Sequence, residues 1–82
     1  MIRVHLLAFA RIREALGSAE QSLTLPSGAT GEDAWRAIAE RAPLLQGLER
    51  STRLAINGTV VEPSVALHDG DELALLPPVG GG

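Results

Sequence analysis

The sequence predicts an α+β domain, a mixed sheet of about five strands packed on one main helix. Three features predict it. A long apolar stripe at helical spacing, Ala34, Trp35, Ile38, Ala39 and Ala42, lies mid-chain. Short segments of strand character stand on both sides of it. Between the segments are turn residues, Pro26-Ser27-Gly28, Asn57-Gly58 and His68-Asp69-Gly70-Asp71, which stop one element and redirect the chain.

In order along the chain, Ile2 to Phe9 reads as a strand, with Val4, Leu6 and Ala8 on one face and Arg3, His5 and Leu7 on the other. Leu7 and Phe9 interrupt the polar alternation of the second face, which predicts a central strand covered at its far end. Ala10 to Leu16 is a short helical segment with Phe9, Ile12 and Leu16 on one face, and Gly17 stands where a left-handed cap would end it. Gln21 to Leu25 is a second strand with Leu23 and Leu25 inward, so the first two strands form a hairpin-like unit joined by the short helix. Thr30 suits the N-cap of the main helix, and Glu32 and Asp33 put negative charge at its positive end. Arg36, Glu40 and Arg41 oppose the apolar stripe, and Pro43 ends the helix. Leu44, Leu45 and Leu48 carry apolar character into a looser stretch that finishes near Arg50.

Arg53 to Ile56 and Thr59 to Val61 pair about Asn57-Gly58, both of which tolerate the positive φ of a type I′ turn. Pro63 holds Glu62 extended and marks a sheet edge. Glu72 to Leu76 is nearly all apolar, hydrophobic enough to lie beside the first strand in the centre of the sheet. Two strands, a helix and three more strands, with first and last adjacent, make the β-grasp arrangement. The expected body is residues 1–76, followed by a flexible tail, residues 77–82.

Composition narrows the function. At 82 residues without a cysteine, one small domain must rely on its core, with neither disulfide nor thiolate zinc to support it. The chain is 45% hydrophobic with one Phe, one Trp and no Tyr, so that core is aliphatic. The net charge is −3, and all seven cations are arginines, scattered over Arg3, Arg11, Arg13, Arg36, Arg41, Arg50 and Arg53. With no basic stripe and few stacking aromatics, nucleic acid is not an expected partner. A mildly acidic surface suits a protein partner with a basic docking surface. The start, Met1 to Leu7, has no signal-peptide pattern, and no apolar run is long enough to span a bilayer. A cytoplasmic protein without a membrane partner is expected.

Enzymatic chemistry lacks its parts. Without cysteine or lysine there is no thiol nucleophile, Schiff base or phosphate-loop lysine. His5 and His68 lie far apart and read first as structural residues, and Asp69, Asp71 and Glu72 lack the spacing of a calcium loop. No metal, no bound cofactor and no catalysis by the chain alone is the expectation.

The tail is the remaining candidate. Leu76 is followed by Pro77, Pro78, Val79, Gly80, Gly81 and Gly82. Taken alone, terminal glycines also read, with less weight, as a frayed end. Here they follow an apolar strand and two prolines that stiffen the path, and six extended residues reach roughly 20 Å at most. Glycine has no Cβ, so such a tail fits a narrow tunnel on another protein and delivers the Gly82 carboxylate to its end. A carboxylate becomes reactive only after activation, which ATP supplies as an acyl-adenylate made by a partner. Sulfur can then displace the nucleotide, leaving a thiocarboxylate. Phe9, Leu75 and Leu76, around the tail's exit, are the expected partner contacts, with Phe9 equally readable as a cap on the core.

Phe9-Ala10-Arg11-Ile12-Arg13-Glu14, the turn Asp69-Gly70-Asp71-Glu72 with the apolar strand after it, and the ending Pro77-Pro78-Val79-Gly80-Gly81-Gly82 resemble the small subunits of molybdopterin synthase, over essentially the whole chain. The resemblance implies a ubiquitin-like β-grasp fold and a terminal Gly81-Gly82 that carries the thiocarboxylate. It further implies three partners: a ubiquitin-activating-type adenylating enzyme that uses ATP, a sulfur donor, and a large synthase subunit whose pocket accepts the tail. A heterotetramer of two small and two large subunits making molybdopterin for the molybdenum cofactor is implied too. Leu76 departs from the aromatic residue frequent before the two prolines, and Gly80 adds a third glycine. Related sulfur carriers for thiamin, tRNA thiolation or cysteine synthesis remain alternatives. So do a protein modifier joined through Gly82 and a plain interaction domain.

Overall fold

The computed structural model describes residues 1–77; Pro78, Val79, Gly80, Gly81 and Gly82 lie outside the described residues, and with them the expected tail beyond Pro77. The elements are β1 (Ile2–Ala8), α1 (Ala10–Leu16), β2 (Glu20–Leu25), α2 (Gly31–Arg41), β3 (Arg53–Ile56), β4 (Thr59–Val61) and β5 (Glu72–Leu76). Two 3₁₀ turns, Pro43–Leu45 and Glu49–Ser51, occupy the looser stretch after α2. The strands form one sheet in the order β2-β1-β5-β3-β4. β1 and β5 run parallel at its centre, and the other neighbours are antiparallel. This is the β-grasp arrangement, with strand boundaries within a residue of those expected.

Period-two alternation decides which strand residues meet α2. Val4, Leu6, Leu23, Leu73 and Leu75 are almost wholly buried and join Ala34, Trp35 and Ile38 of α2 in one cluster. At about 25 cal/mol per Å² of apolar surface removed from water, this contact is the main source of stability. Leu45, in the first 3₁₀ turn, is fully buried in the same core, whereas its neighbour Leu44 is exposed. Periodicity could not separate these two, because a three-residue turn has no repeat to read.

The start of α2 is closed from two sides. Thr30 and Asp33 form a capping box, the Thr30 hydroxyl accepting from the Asp33 amide at 3.2 Å and the Asp33 carboxylate from the Thr30 amide at 2.9 Å. The loop after β4 supplies further acceptors: the Gly31 amide donates to the Val65 carbonyl and the Glu32 amide to the Pro63 carbonyl. Leu67, in the same loop, is buried. The helix N-terminus is therefore satisfied by main-chain groups that its own sequence does not announce. Gly31 is required by this strap, since a Cβ there would lie 2.8 Å from Leu54 Cδ1 and 3.3 Å from the Pro63 carbonyl oxygen.

Candidate functional site: the outer sheet face and the tail exit

Among the described residues, the face of the sheet opposite α2 carries no helix, and the register fixes what stands on it. Leu7 of β1 is opposite Ala74 of β5, Ala74 opposite Ala55 of β3, and Ala55 opposite Val60 of β4. These four form an apolar row across the sheet, with Glu20 of β2 beyond Leu7. Val60 is exposed, Leu7 and Ala74 are half-buried, and Ala55 is buried yet stands outside the main core cluster. One step toward the C-terminal end of β5, Leu76 pairs with Arg53. Phe9 follows Ala8, the partner of Leu75, and its extended backbone (φ −130°, ψ 154°) keeps it on the same side as Leu7.

Phe9 is 44% exposed. It stands outside the core cluster, and the cover expected at the far end of β1 is only partial, with Leu7 half-buried. The chain leaves β1 abruptly after Phe9. Ala10 has φ 49°, in the left-handed region that a side chain disfavours, and α1 begins there. The Phe9 carbonyl accepts from the Ile12 and Arg13 amides, and Gly17 closes α1 in the left-handed cap expected (φ 86°). This turn sends α1 off the sheet, its buried Ile12 joining the core.

Leu76 and Pro77, the last described residues, are half-buried at this exit. Leu75 requires a correction. Its alternation partners are Leu54 and Ala8 on the α2 side, and it is fully buried, so its side chain packs the core and offers nothing to a partner. Gly82, with Pro78, Val79, Gly80 and Gly81, lies outside the described residues. Leu7, Ala55, Val60 and Ala74 were not expected at the site. Only Leu7, apolar on an otherwise polar face, gave a signal; the others join it through strand register, which needs the paired sheet.

The opposite end of β5 is pinned by side chains. The Asn57 amide Nδ2 donates to Asp71 Oδ1 at 2.9 Å, and the His68 main-chain N–H donates to Asp71 Oδ2 at 2.8 Å. The Glu72 N–H donates to Asn57 Oδ1 at 2.9 Å, and the Asn57 N–H to the Glu72 carbonyl. The His68 amide above all holds the Asp71 carboxyl below its ordinary value of 3.8; burial pushes it up by less than that, and the Asn57 amide and the His68 side chain lower it by smaller amounts still. Asn57 and Gly58 take φ 50° and 87° as a type I′ turn needs. The hairpin turn and the acidic turn thus lock each other, fixing the register of β5 and the point where Leu76 and Pro77 leave the sheet.

On the side of the face away from the exit, His5 Nε2 and Glu20 Oε1 are hydrogen-bonded at 2.8 Å, and His5 stands in register with Glu72. Among the described residues no group of three or more His, Asp or Glu side chains is arranged to hold a metal ion, and no helix is long and apolar enough to cross a membrane. The arrangement can present an apolar surface to another protein and deliver a chain end beside it.

The sequence profile of the ThiS family matches residues 6–82. A molybdopterin synthase sulfur carrier subunit from Chlamydomonas reinhardtii is 37% identical over 83 residues, spanning 99% of this chain and all of its own. The small archaeal modifier protein 1 of Haloferax volcanii superposes with a TM-score of 0.85 at 28% identity, covering 96% of this chain and 100% of its own. Caldiarchaeum subterraneum ubiquitin superposes at 0.62 with 17% identity over 99% and 98% of the two chains, a likeness of fold. A β-grasp body whose central last strand ends beside an apolar face, matched by the family profile through its final glycine, makes this chain a member of the ThiS family.

Proposed function

We propose that this chain is the sulfur carrier subunit of a molybdopterin synthase and that the Gly82 carboxylate carries the sulfur. The observation that carries the reading is the junction at Leu76. A strand pinned at its start and buried at the sheet centre ends beside the apolar row, and the sequence continues as Pro-Pro-Val-Gly-Gly-Gly. The relative at 37% identity bears this function in its name.

The chemistry follows from the carboxylate. An adenylating enzyme of the ubiquitin-activating type brings ATP; a Gly82 oxygen attacks the α-phosphorus and pyrophosphate leaves. The resulting acyl-adenylate is attacked at its carbonyl carbon by hydrosulfide released by a sulfur donor; the carbon–oxygen bond to AMP breaks, the sulfur loses its proton, and the carrier ends as a thiocarboxylate. That sulfur then forms a carbon–sulfur bond to the pterin precursor on the large synthase subunit as an oxygen leaving group of the precursor departs, which leaves carrier and precursor joined as a thioester. Release of the carrier by water restores the carboxylate. The carrier positions and presents; ATP belongs to the activator and no cofactor resides on this chain.

A second reading, conjugation of Gly82 to lysines of other proteins, has support from the likeness to the archaeal modifier protein. The chain contains no lysine, which limits such conjugation to single additions rather than lysine-linked chains of this protein.

Deleting Gly82 tests the carrier reading. The carboxylate retreats by about 3.3–3.6 Å along an extended tail, and displacements of about 1 Å can cost a hundredfold in near-attack geometry. The truncated chain is expected to fold with an unchanged thermal midpoint and to be adenylated and sulfurated very poorly by its activator. Sulfuration at the full rate would overturn the reading.

A further inference from the structure

Charged side chains flank the apolar row of the outer face on both sides. On the exit side, Arg53 stands beside Leu76 on the neighbouring strand, about 4.8 Å away in the pairing direction. Its alternation partner on β3 is Ala55, so it shares the face of the row. It is exposed and enters no ion pair among the described residues, although Glu62 lines the same shallow groove with Val60, Val61 and Pro63. Glu20 ends the row on β2, bonded to His5, and on the other side stand Glu72, in register with His5, and the exposed Arg3 of β1. Arg36 shows the contrast, since on the solvent face of α2 it is engaged by Glu32 and Asp33 at 3.2 and 3.3 Å.

An unpaired guanidinium beside an apolar strip is suited to recognition. It stays hydrated in the free chain, lays its methylene stem along the strip, and offers a planar fork that matches a carboxylate. We propose that Arg53 is the orienting contact of this face: the partner that receives the tail presents a carboxylate to Arg53, next to an apolar ridge seated on Leu7, Ala74, Ala55 and Val60. The proposal rests on the carrier reading and specifies the partner surface that reading needs. A partner turned half-way round about the sheet normal would carry that carboxylate from Arg53 toward Glu72, so Arg53 favours the docking in which the tail points into the partner's tunnel. The net charge of −3 suggests a basic partner surface; beside Arg53 the proposal calls for a carboxylate instead.

The test uses the full chain and the purified large synthase subunit of the same organism, with association followed by stopped flow from low to high salt. Arg53→Glu is expected to slow association and weaken binding by about tenfold or more at low salt and to flatten the salt dependence, as reversal of a steering charge does. Arg53→Lys, keeping charge without the fork, falls between. Arg36→Glu, on the other side of the molecule, stays within about twofold of the unaltered chain. Circular dichroism melting of each variant separates folding from docking, and Arg53→Gln replaces Arg53→Glu if the latter melts early. Binding of the Arg53 variants at the unaltered rate and salt slope, or an equal loss in Arg36→Glu, overturns the proposal. If the unaltered chain does not bind the large subunit at all, the carrier reading fails with it, so the two failures are distinguishable.

Discussion

Trp35→Ala probes the contact that holds the fold. Trp35 lies on α2 at 6% exposure, the largest side chain of the core cluster. An aromatic side chain of this kind buries about 150–250 Å², worth about 4–6 kcal/mol at 25 cal/mol per Å². Core truncations of Trp cost about 3–5 kcal/mol once partial relaxation is included. The structure selects the lower end. Trp35 borders an open cleft lined by Glu32, Glu49, Arg50, Thr52, Leu54 and Pro63, so the space left by the indole connects to solvent and fills with water rather than remaining an empty void. A loss of about 3 kcal/mol in a domain of this size lowers the thermal midpoint by roughly 12–24 °C. The assay is far-ultraviolet circular dichroism melting, with Leu44→Ala as the control; Leu44 is 75% exposed, and its truncation is expected to stay within about 0.5 kcal/mol. A Trp35→Ala midpoint within the control's range would refute the reasoning that α2 is held mainly by this stripe.

Three further outcomes follow from local geometry. Ala10→Gly, normally unfavourable at a helical position, is expected to raise stability by up to about 1 kcal/mol because φ 49° is free for glycine; a lowered urea midpoint would contradict it. Asp33 and Asp71 both have lowered carboxyl values, Asp33 through the Thr30 amide first and the Thr30 hydroxyl second. Their contribution is therefore complete above the ordinary value of 3.8 and is lost as pH falls through the lower folded values. Asp71→Asn should lower the urea midpoint at pH 6 and lessen its fall toward pH 3, and an acid limb identical to that of the unaltered chain would count against the lock with Asn57. Phe9→Ala is expected to weaken binding to the large subunit while leaving the thermal midpoint nearly unchanged, and the reverse pattern would return Phe9 to the core.

Much of this was legible in the sequence where an element carried two agreeing signals. α2 had its apolar stripe and Thr30, and β3–β4 had strand character and Asn57-Gly58. β5 was placed beside β1 from its apolar run alone, since a strand buried at the sheet centre loses its polar alternation. The same run misled at Leu75: when every residue is apolar, the pattern does not say which side chain faces the helix, and only pairing with Leu54 and Ala8 decides. The apolar row shows the same limit. Ala55, Ala74 and Val60 are far apart in sequence and individually ordinary, and they become a surface only through three strand pairings. The strap that closes α2 was invisible because its hydrogen bonds come from the main chain of Pro63 and Val65, which no residue type marks.

The central claim is that Gly82 carries sulfur. The most direct measurement is the intact mass of the protein taken from its native host, with fragmentation to locate any change. The account predicts a population heavier than the unmodified chain by the exchange of one oxygen for one sulfur, placed at the Gly82 carboxyl and lost on alkaline hydrolysis. A chain recovered only with an unmodified carboxylate, from cells actively making the cofactor and with thiocarboxylates preserved through isolation, would contradict it.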